Sequence, residues 1–529
     1  MLRMQPRPSV IDFTKLLSSV MKMKQYSVAL HLFDEMLQRD APVDHYTFNI
    51  AIDCFCRLKR ADFGFAILAC FFKRGHEPDV VTFNTLIKGL LLVGKIREAA
   101  KLLGKLLAEQ LCDPNEVTYL TMINGLCKAG LTLEALDLLR LLQKGRCKPN
   151  VHAYTTVIDG LCKDRMVDDA LQLFSTLSDN GISPGVETYS SMIQGLCNFS
   201  RWNEVEDLLK KMVANGVYPN VVTCNILVDA FCKEGRVKAA EHILKIMKQT
   251  DVQPDIVTCN ALINGYCLRG EMVEARNIFD LAVDFGLKPN IVSYNSLMNG
   301  YCRNGQADEV SRLFSEILAK GLKHDVASYN IMLLCLFREG RCEDGLKLFR
   351  EMQMPHDVVT YNIVLDGLCS AHRIGEAFSF LQMMEDEGII PNIVTYSTLI
   401  EGLCNDKKVD TAKDLFDQLP CKGLKPDVVT CTILIGAFCQ EGEIEKAKDL
   451  LMQMVSNGCL PDSVTYNVYI QGLLRRNKIH DVILLLEEMN TRRFTLDART
   501  FSMLLQHLER EGEGGVLFYK VKQIISKGI

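Results

Sequence analysis

The sequence predicts an all-α fold, a solenoid of about fourteen 35-residue helix-turn-helix repeats. Three observations lead there. The stretch VVTCNILVDAFCKEG at 221–235 returns as IVTCNALINGYCLRG at 256–270 and as IVSYNSLMNGYCRNG at 291–305. Pro78, Pro114, Pro149, Pro184, Pro219, Pro254 and Pro289 stand 36, 35, 35, 35, 35 and 35 residues apart, and Pro391, Pro426 and Pro461 resume the same spacing. Within each unit, apolar residues recur at helical spacing. A fixed period of this length marks stacked repeats, each unit burying its apolar stripes against its neighbours.

Numbered from the residue after each Pro-Asp or Pro-Asn pair, fourteen units tile residues 10–497. Twelve have 35 residues, the unit at 80–115 has 36, and the unit at 326–357 has 32. Residues 1–9 form a short N-terminal segment, and 498–529 begin like a further unit before losing the pattern, as expected of a degenerate C-terminal cap. In the unit 221–255, Leu227, Val228, Phe231 and Cys232 share one face of a first helix. Gly235 ends that helix. Val237, Ala240, Ile243, Leu244 and Met247 mark a second one, and the stretch QTDVQPD closes the unit because its proline cannot continue a helix. The Asp or Asn after that proline, with the Thr three residues on, suits the N-cap of the next first helix.

Composition narrows the classes. The 529 residues would by length alone suggest three or four domains, a count the repeat overrides. The net charge of −5 argues against holding nucleic acid by bulk charge, though not against local basic rows. No uncharged apolar run reaches the roughly 18 residues a membrane helix needs, so no membrane partner is expected. The opening MLRMQPRPS is too short for a transit or signal peptide. Ten of the 21 cysteines hold the twelfth position of a unit, on the expected buried face, and no C-x-x-C pair occurs. Buried structural thiols, with no metal and no cofactor, are therefore expected. So many unpaired cysteines suit a reducing compartment. His507-Leu508-Glu509 spells the H-x-E of zinc deaminases, but no P-C-x-x-C follows, and no enzyme activity is expected.

The frame V-V-T-Y-N-x-L-I-x-G-L-C-K-x-G, closing in G-x-x-P-D, is clear in VVTYNIVLDGLCSAHRIGEAF at 358–378 and IVTYSTLIEGLCNDKKVDTAK at 393–413. It resembles the pentatricopeptide repeat family of plants. The opening PSVIDFTKLLSSVMKMKQYSVALHLFDEM resembles its restorer-of-fertility-like branch within the pure-repeat class. The rival tetratricopeptide repeat has a period of 34 and a Trp/Gly/Tyr signature, whereas the only tryptophan here is Trp202. The resemblance implies a right-handed superhelix and a mitochondrial or, alternatively, chloroplast protein. Such a protein binds one single-stranded RNA and acts in its processing, stability or translation, with a nuclease or the ribosome as partner machinery. A helical-repeat scaffold for other proteins is the alternative.

In that family the fifth and last residues of each unit choose one base, and an aliphatic second residue packs between bases. Here the fifth residue is Asn49, Asn84, Asn225, Asn260, Asn295, Asn330, Asn362 or Asn467 in eight units. It is Thr14, Thr155, Ser190, Ser397 or Thr432 in five, and Leu120 in one. A merely solvated helix face would also admit Glu, Lys, Gln and Arg. Asn, Ser and Thr are indifferent helix formers, so their confinement here fits base-edge reading. The last residue is Asp or Asn in thirteen units and Gly185 in one, a preference that helix capping also explains. An Asp carboxylate only accepts, suiting the ring N–H of uracil or guanine, while an Asn amide suits adenine or cytosine. By the family's code, Thr14 with Asp44 reads G and Asn49 with Asp79 reads U. Asn84 with Asn115 reads a pyrimidine, and Ser190 with Asn220 reads A. Asn225 with Asp255 reads U, Asn260 with Asn290 a pyrimidine, and Asn295 with Asp325 and Asn330 with Asp357 both read U. Asn362 with Asn392 reads a pyrimidine, Ser397 with Asp427 and Thr432 with Asp462 read G, and Asn467 with Asp497 reads U. Leu120 with Asn150, and Thr155 with Gly185, depart from the code and stay unassigned. The expected RNA is 5′-GUYNNAUYUUYGGU-3′, with Y a pyrimidine and N unassigned. Val222, Val257, Val292, Val359, Val394, Val429 and Val464 are the expected base-sandwiching residues. Arg57, Lys128, Lys163, Lys233, Arg303, Arg338 and Arg475, at the thirteenth position, are the expected phosphate contacts, a placement the helix dipole also favours.

Overall fold

A computed structural model of the chain describes residues 9–511 apart from 40, 42, 110, 145–147 and 285. Residues 1–8 of the opening segment and 512–529 of the expected cap lie outside the described residues. The described chain is an all-α helical repeat solenoid. Its helices run in pairs from Val10–Lys22 with Tyr26–Gln38 to Ser463–Arg475 with Ile479–Thr491, and Ala498–Glu511 follows. No helix is long and apolar enough to cross a membrane among the described residues.

First helices start where the last residue of the preceding unit caps them, except Val186–Asn198, which follows Gly185 and has no side-chain cap. In the helix Val221–Lys233 the cap is Asn220, whose side chain accepts from the backbone N–H of Thr223. In Val358–Ser370 it is Asp357, accepting from Thr360. Such caps are worth about 0.5–2 kcal/mol against Ala. The helix ends in a left-handed residue at the fifteenth position. Gly235 takes it without strain at φ 73°, while Arg165 and Lys407 hold φ 64° and 59° as side-chain-bearing residues. Second helices have no side-chain caps in several units, Val237–Gln249 and Ile374–Asp386 among them.

The two units of irregular length keep their first helices intact. The short unit loses its residues from the second helix, Cys342–Glu351, which has 10 residues where most have 13. The long unit has a 14-residue second helix, Ile96–Glu109. A second 10-residue helix, Val409–Gln418, gives way to a 3-10 turn at Pro420–Lys422, since proline lacks the N–H a helix needs.

Two compact units divide the chain at residues 262 and 263. In the first, a core cluster runs from Ile123 through Tyr154, Leu161, Tyr189 and Leu196 to Leu227. In the second, one runs from Leu333 through Tyr361, Leu399 and Ile435 to Leu504. The predicted stripe residues Leu227, Val228, Cys232, Val237, Ala240 and Met247 are buried. Phe231 is half-buried and stacks on Trp202 with ring centroids 4.3 Å apart.

First helices pack on first helices through a close contact between the tenth and twelfth positions. A Cβ on Gly195 would lie 2.2 Å from Cys162 Sγ, one on Gly300 2.4 Å from Cys267 Sγ, and one on Gly472 2.4 Å from Cys439 Sγ. Eight of the ten twelfth-position cysteines are buried, while Cys127 and Cys404 are half-buried. Burial pushes Cys162, Cys232, Cys267 and Cys439 up to about 12, so these thiols stay protonated packing residues. No group of three or more His, Cys, Asp or Glu could hold a metal among the described residues. His507-Leu508-Glu509 falls in the helix Ala498–Glu511.

This contact yields a direct prediction. Gly300→Val should destabilise the chain by about 1–3 kcal/mol through overpacking on Cys267. Cys267→Ala in the same chain should recover most of the loss, measured by denaturant unfolding. Equal losses in the single and double variants would show that the two positions do not share the contact.

Candidate nucleic-acid interface

The fifth and last residues of a unit are brought together at each unit boundary by a hydrogen-bonded cluster that also draws in a third residue. In the unit 221–255, Asn225 Nδ2 donates to Asp255 Oδ1 at 3.0 Å. The hydroxyl of Thr258, third residue of the next unit, donates to Asn225 Oδ1 at 2.5 Å. Asp255 Oδ1 accepts the Thr258 backbone N–H at 3.0 Å, and the Asp255 N–H donates to Thr258 Oγ1 at 3.1 Å. The same cluster recurs at Asn295, Asp325 and Ser328, with Nδ2 to Oδ1 at 2.9 Å and hydroxyl to amide oxygen at 2.8 Å. Asn49, Asp79 and Thr82 repeat it with a longer amide bond of 3.5 Å. In the short unit Thr360 still donates to Asn330 Oδ1 at 2.8 Å, so the lost residues leave this boundary intact. Thr395 does the same for Asn362 at 2.8 Å and bonds Asn392.

Where the fifth residue carries a hydroxyl, the third-position residue links it to the last residue. Ser190 meets Thr223 at 2.8 Å, and Thr223 bonds Asn220 of the same boundary. Ser397 meets Thr430 at 2.6 Å, and Thr430 bonds Asp427. Thr432 meets Thr465 at 2.8 Å, and Thr465 bonds Asp462.

Other predicted pairs are arranged differently. Thr14 donates to Val10 O, and Thr47 bonds Asp44. Asn84 Nδ2 reaches Asn115 Oδ1 at 3.3 Å, but Asn84 Oδ1 is buried without a partner. Leu120 contributes no polar atom, and Asn150 turns its amide to Glu116. Thr155 meets Thr188 at 2.8 Å beside Gly185, where a Cβ would find nothing within 4 Å. Asn467 turns inward. Its Nδ2 donates to Ser463 O and Thr495 O, its Oδ1 accepts the Asp497 N–H, and the residue is only 3% exposed. Asn260 lies in the helix Ile256–Leu268 and Asn290 caps Ile291–Arg303.

The seven predicted second-position valines stand 52–60% exposed. Each lies one helical turn from the fifth residue, on the same face. Val81 and Val117 hold the same position with 52% and 56% exposure. The signal for these two, an aliphatic second residue, is present in the sequence. The thirteenth-position cations are all exposed. Three of them pair with the carboxylate one turn earlier: Arg57 with Asp53 at 2.7 Å, Lys163 with Asp159 at 2.6 Å, and Lys233 with Asp229 at 2.6 Å. Exposed pairs of this kind are weak, about 0.3–0.5 kcal/mol, so they leave the cations open to competition from an incoming anion.

The carboxylates stay ionised. Burial, the largest influence on Asp79, Asp255, Asp325 and Asp357, works to raise their pKa values. The bonds from the capped N–H, the third-position hydroxyl and the fifth-position amide outweigh it and hold all four below the ordinary carboxyl value. Their contribution to folding is thus full above the ordinary value of about 3.9 and is lost as pH falls through the depressed value. Asp255→Ala should cost about 0.5–2 kcal/mol at neutral pH, whereas Asp255→Asn keeps the cap and should cost far less. Acid should also weaken the wild type more than Asp255→Asn. Denaturant unfolding at pH 7 and pH 3 measures both, and equal behaviour of the two variants would contradict the capping role.

Comparison with known proteins places this geometry in a family. The model described as "PPR repeat family" matches residues 8–57, 78–128, 114–163, 149–198, 197–233, 219–268, 289–336, 356–405, 391–440, 426–473 and 461–510. "Pentatricopeptide repeat domain" matches 247–304, and "PPR repeat" matches 327–354. A pentatricopeptide repeat-containing protein of Arabidopsis thaliana, named as mitochondrial, is 40% identical over 105 residues, covering 20% of this chain and 17% of its own length. Another, named as chloroplastic, is 32% identical over 130 residues, covering 24% of this chain and 25% of its own length. The chain thus spans a quarter or less of the length of these relatives in the matched regions. The maize protein PPR10 superposes on 94% of this chain and 80% of its own, at 24% identity and TM-score 0.49. PPR10 in complex with an 18-nt psaJ RNA element superposes on 98% and 84%, at 22% identity and TM-score 0.48. With family models matching most of its length in register with the observed helix pairs, the chain belongs to the pentatricopeptide repeat family.

Proposed function

We propose that the chain is a sequence-specific single-stranded RNA-binding protein of a plant organelle that reads one base per unit. The observation that carries this reading is the recurring boundary cluster. A short polar fifth side chain and an acceptor or amide at the last position sit side by side, flanked by exposed valines. A chain that needed only to fold would have no use for an exposed aliphatic residue in the same register unit after unit. Stacking of bases against such residues and hydrogen bonding to their pairing edges is how helical repeats read single strands. The exposed cations at the thirteenth position suit the phosphates.

We place the protein in the mitochondrion, a word most of the Arabidopsis relatives' names carry alongside one chloroplastic name. We assign it to the restorer-of-fertility-like branch, acting on processing, stability or translation of its transcript by occupying it. A nuclease or the ribosome then acts on the bound or released RNA.

Selection from random single-stranded RNA and DNA pools tests the reading. It should enrich RNA carrying AUYUUYGG, the core of 5′-GUYNNAUYUUYGGU-3′. Enrichment of duplex RNA, or of nothing, would contradict it, and the second outcome would favour a protein-binding scaffold. One substitution tests the chemistry. Asn225→Thr keeps Asp255 as acceptor for a ring N–H but shortens the fifth side chain, so the preferred seventh base should move from U to G. A good base contact is worth roughly 1–3 kcal/mol, so the preference should change by about tenfold or more. Equal weakening for all four bases, titrated at one salt concentration, would make residue 225 structural.

A further inference from the structure

We propose that the hydroxyl at the third position of each unit is a specificity-determining positioning residue for the unit before it, fixing whether the fifth side chain presents a donor or an acceptor to its base. This rests on the RNA reading above and assigns a role to residues outside the reading pair.

The geometry leaves little freedom. Asp255 is a carboxylate and only accepts, so the end of the Asn225 amide facing it must be Nδ2. Thr258 then donates to Oδ1 at 2.5 Å. One of the two amide N–H groups is used on Asp255 at 3.0 Å, and the second is left for a ligand. Asn295, held between Asp325 and Ser328, is fixed the same way. With both ends assigned, the Asn amide cannot flip, and it offers a donor suited to a pyrimidine carbonyl oxygen.

A fifth-position hydroxyl is set to the opposite polarity. Ser397 spends its proton on Ile393 O at 2.8 Å, and Thr432 on Val428 O at 2.7 Å. Thr430 and Thr465 lie 2.6 and 2.8 Å from those oxygens. Thr430 and Thr465 give their single protons to the Asp427 and Asp462 carboxylates at 2.6 and 2.8 Å, so the fifth-position proton stays committed to the backbone carbonyl or the threonine oxygen and the fifth-position oxygen keeps a lone pair. That lone pair suits the exocyclic amino group of a purine.

Two observations separate this role from simple capping. Every unit with a polar fifth residue is followed by Thr or Ser at the third position, whereas Leu120 is followed by Ala153. Ala153 still donates its backbone N–H to Asn150 Oδ1 at 2.9 Å, so the cap forms without a hydroxyl. The hydroxyl is present where there is a polar side chain to orient and absent where there is none. Thr82, Thr258, Ser328 and Thr360 are fully buried, so they act through the fifth residue rather than on RNA. Several boundaries break the link: Thr14 bonds Val10 O while Thr47 bonds Asp44, and Ser293 bonds Asn290 without reaching Asn260 Oδ1. Thr118 bonds Asn115 and leaves Asn84 Oδ1 unpartnered, and Thr500 accepts from Gln471 while Asn467 bonds backbone.

The test uses the full chain with Thr258→Val, which keeps shape and removes the hydroxyl. Two sets of four RNAs are titrated, one varied at the seventh base and one at the ninth. Preference for U at the seventh base should fall by about tenfold while preference at the ninth is kept, and Thr258→Ser should restore the wild type. Retention of the U preference in Thr258→Val overturns the proposal. Absence of any preference at the seventh base in the wild type overturns the RNA reading, and this proposal with it. A gain-of-function pair decides the matter if Thr258→Val melts early. Leu120→Asn alone should add little at the fourth base, whereas Leu120→Asn with Ala153→Thr should create a pyrimidine preference. Equal gains from the single and the double substitution would also overturn it.

Discussion

The structure depends on how closely one first helix can approach the next. Where the tenth residue is glycine and the twelfth of the preceding unit is a buried cysteine, no Cβ separates them. Gly195 on Cys162 and Gly402 on Cys369 are examples. Close-packed interiors punish even a methylene of mismatch, so this contact sets the stagger between units. The stagger in turn places the third residue of one unit against the fifth residue of the last. Thr258 reaches Asn225, and Thr395 reaches Asn362, across the same offset of 33 residues. The interface chemistry is thus a consequence of core packing several ångströms away.

The residue at the unit boundary does two things at once. Asp255 caps the helix that follows it and holds the amide of the helix before it. Capping needs an oxygen aimed at the third backbone N–H, which Asp and Asn supply equally. Base reading needs the choice between a pure acceptor and an amide. Folding therefore narrows the position to two residue types, and on the proposed reading recognition selects between them. Gly185 shows that a unit tolerates loss of both roles, with its φ of −87° leaving the following helix in place.

The period, the helix pairs and the identity of the boundary positions were legible in the sequence because each repeats. The buried faces of Val221–Lys233 and Val237–Gln249 followed from spacing alone. The partner of the fifth residue was not legible. Thr258 and its counterparts read as helix-start residues, and nothing in one unit's sequence shows that the hydroxyl turns toward the previous unit. The inward turn of Asn467 was hidden for a related reason: its amide is captured by backbone at Ser463 and Thr495, which any sequence would supply. The short unit looked like a threat to register, yet its second helix, Cys342–Glu351, absorbs the deletion far from Asn330. The cations at the thirteenth position were visible, but their existing partners at Asp53, Asp159 and Asp229 emerge only in three dimensions.

The most direct measurement is the binding penalty of every single-base change along the expected fourteen-nucleotide RNA, at one salt concentration. The penalties should follow the boundary clusters. Penalties should be large at the seventh and ninth bases, facing Asn225 and Asn295. They should be small at the fourth, facing Leu120, and at the fourteenth, facing the inward-turned Asn467. A profile that is flat, or that ignores which boundaries are complete, would contradict base reading by these clusters.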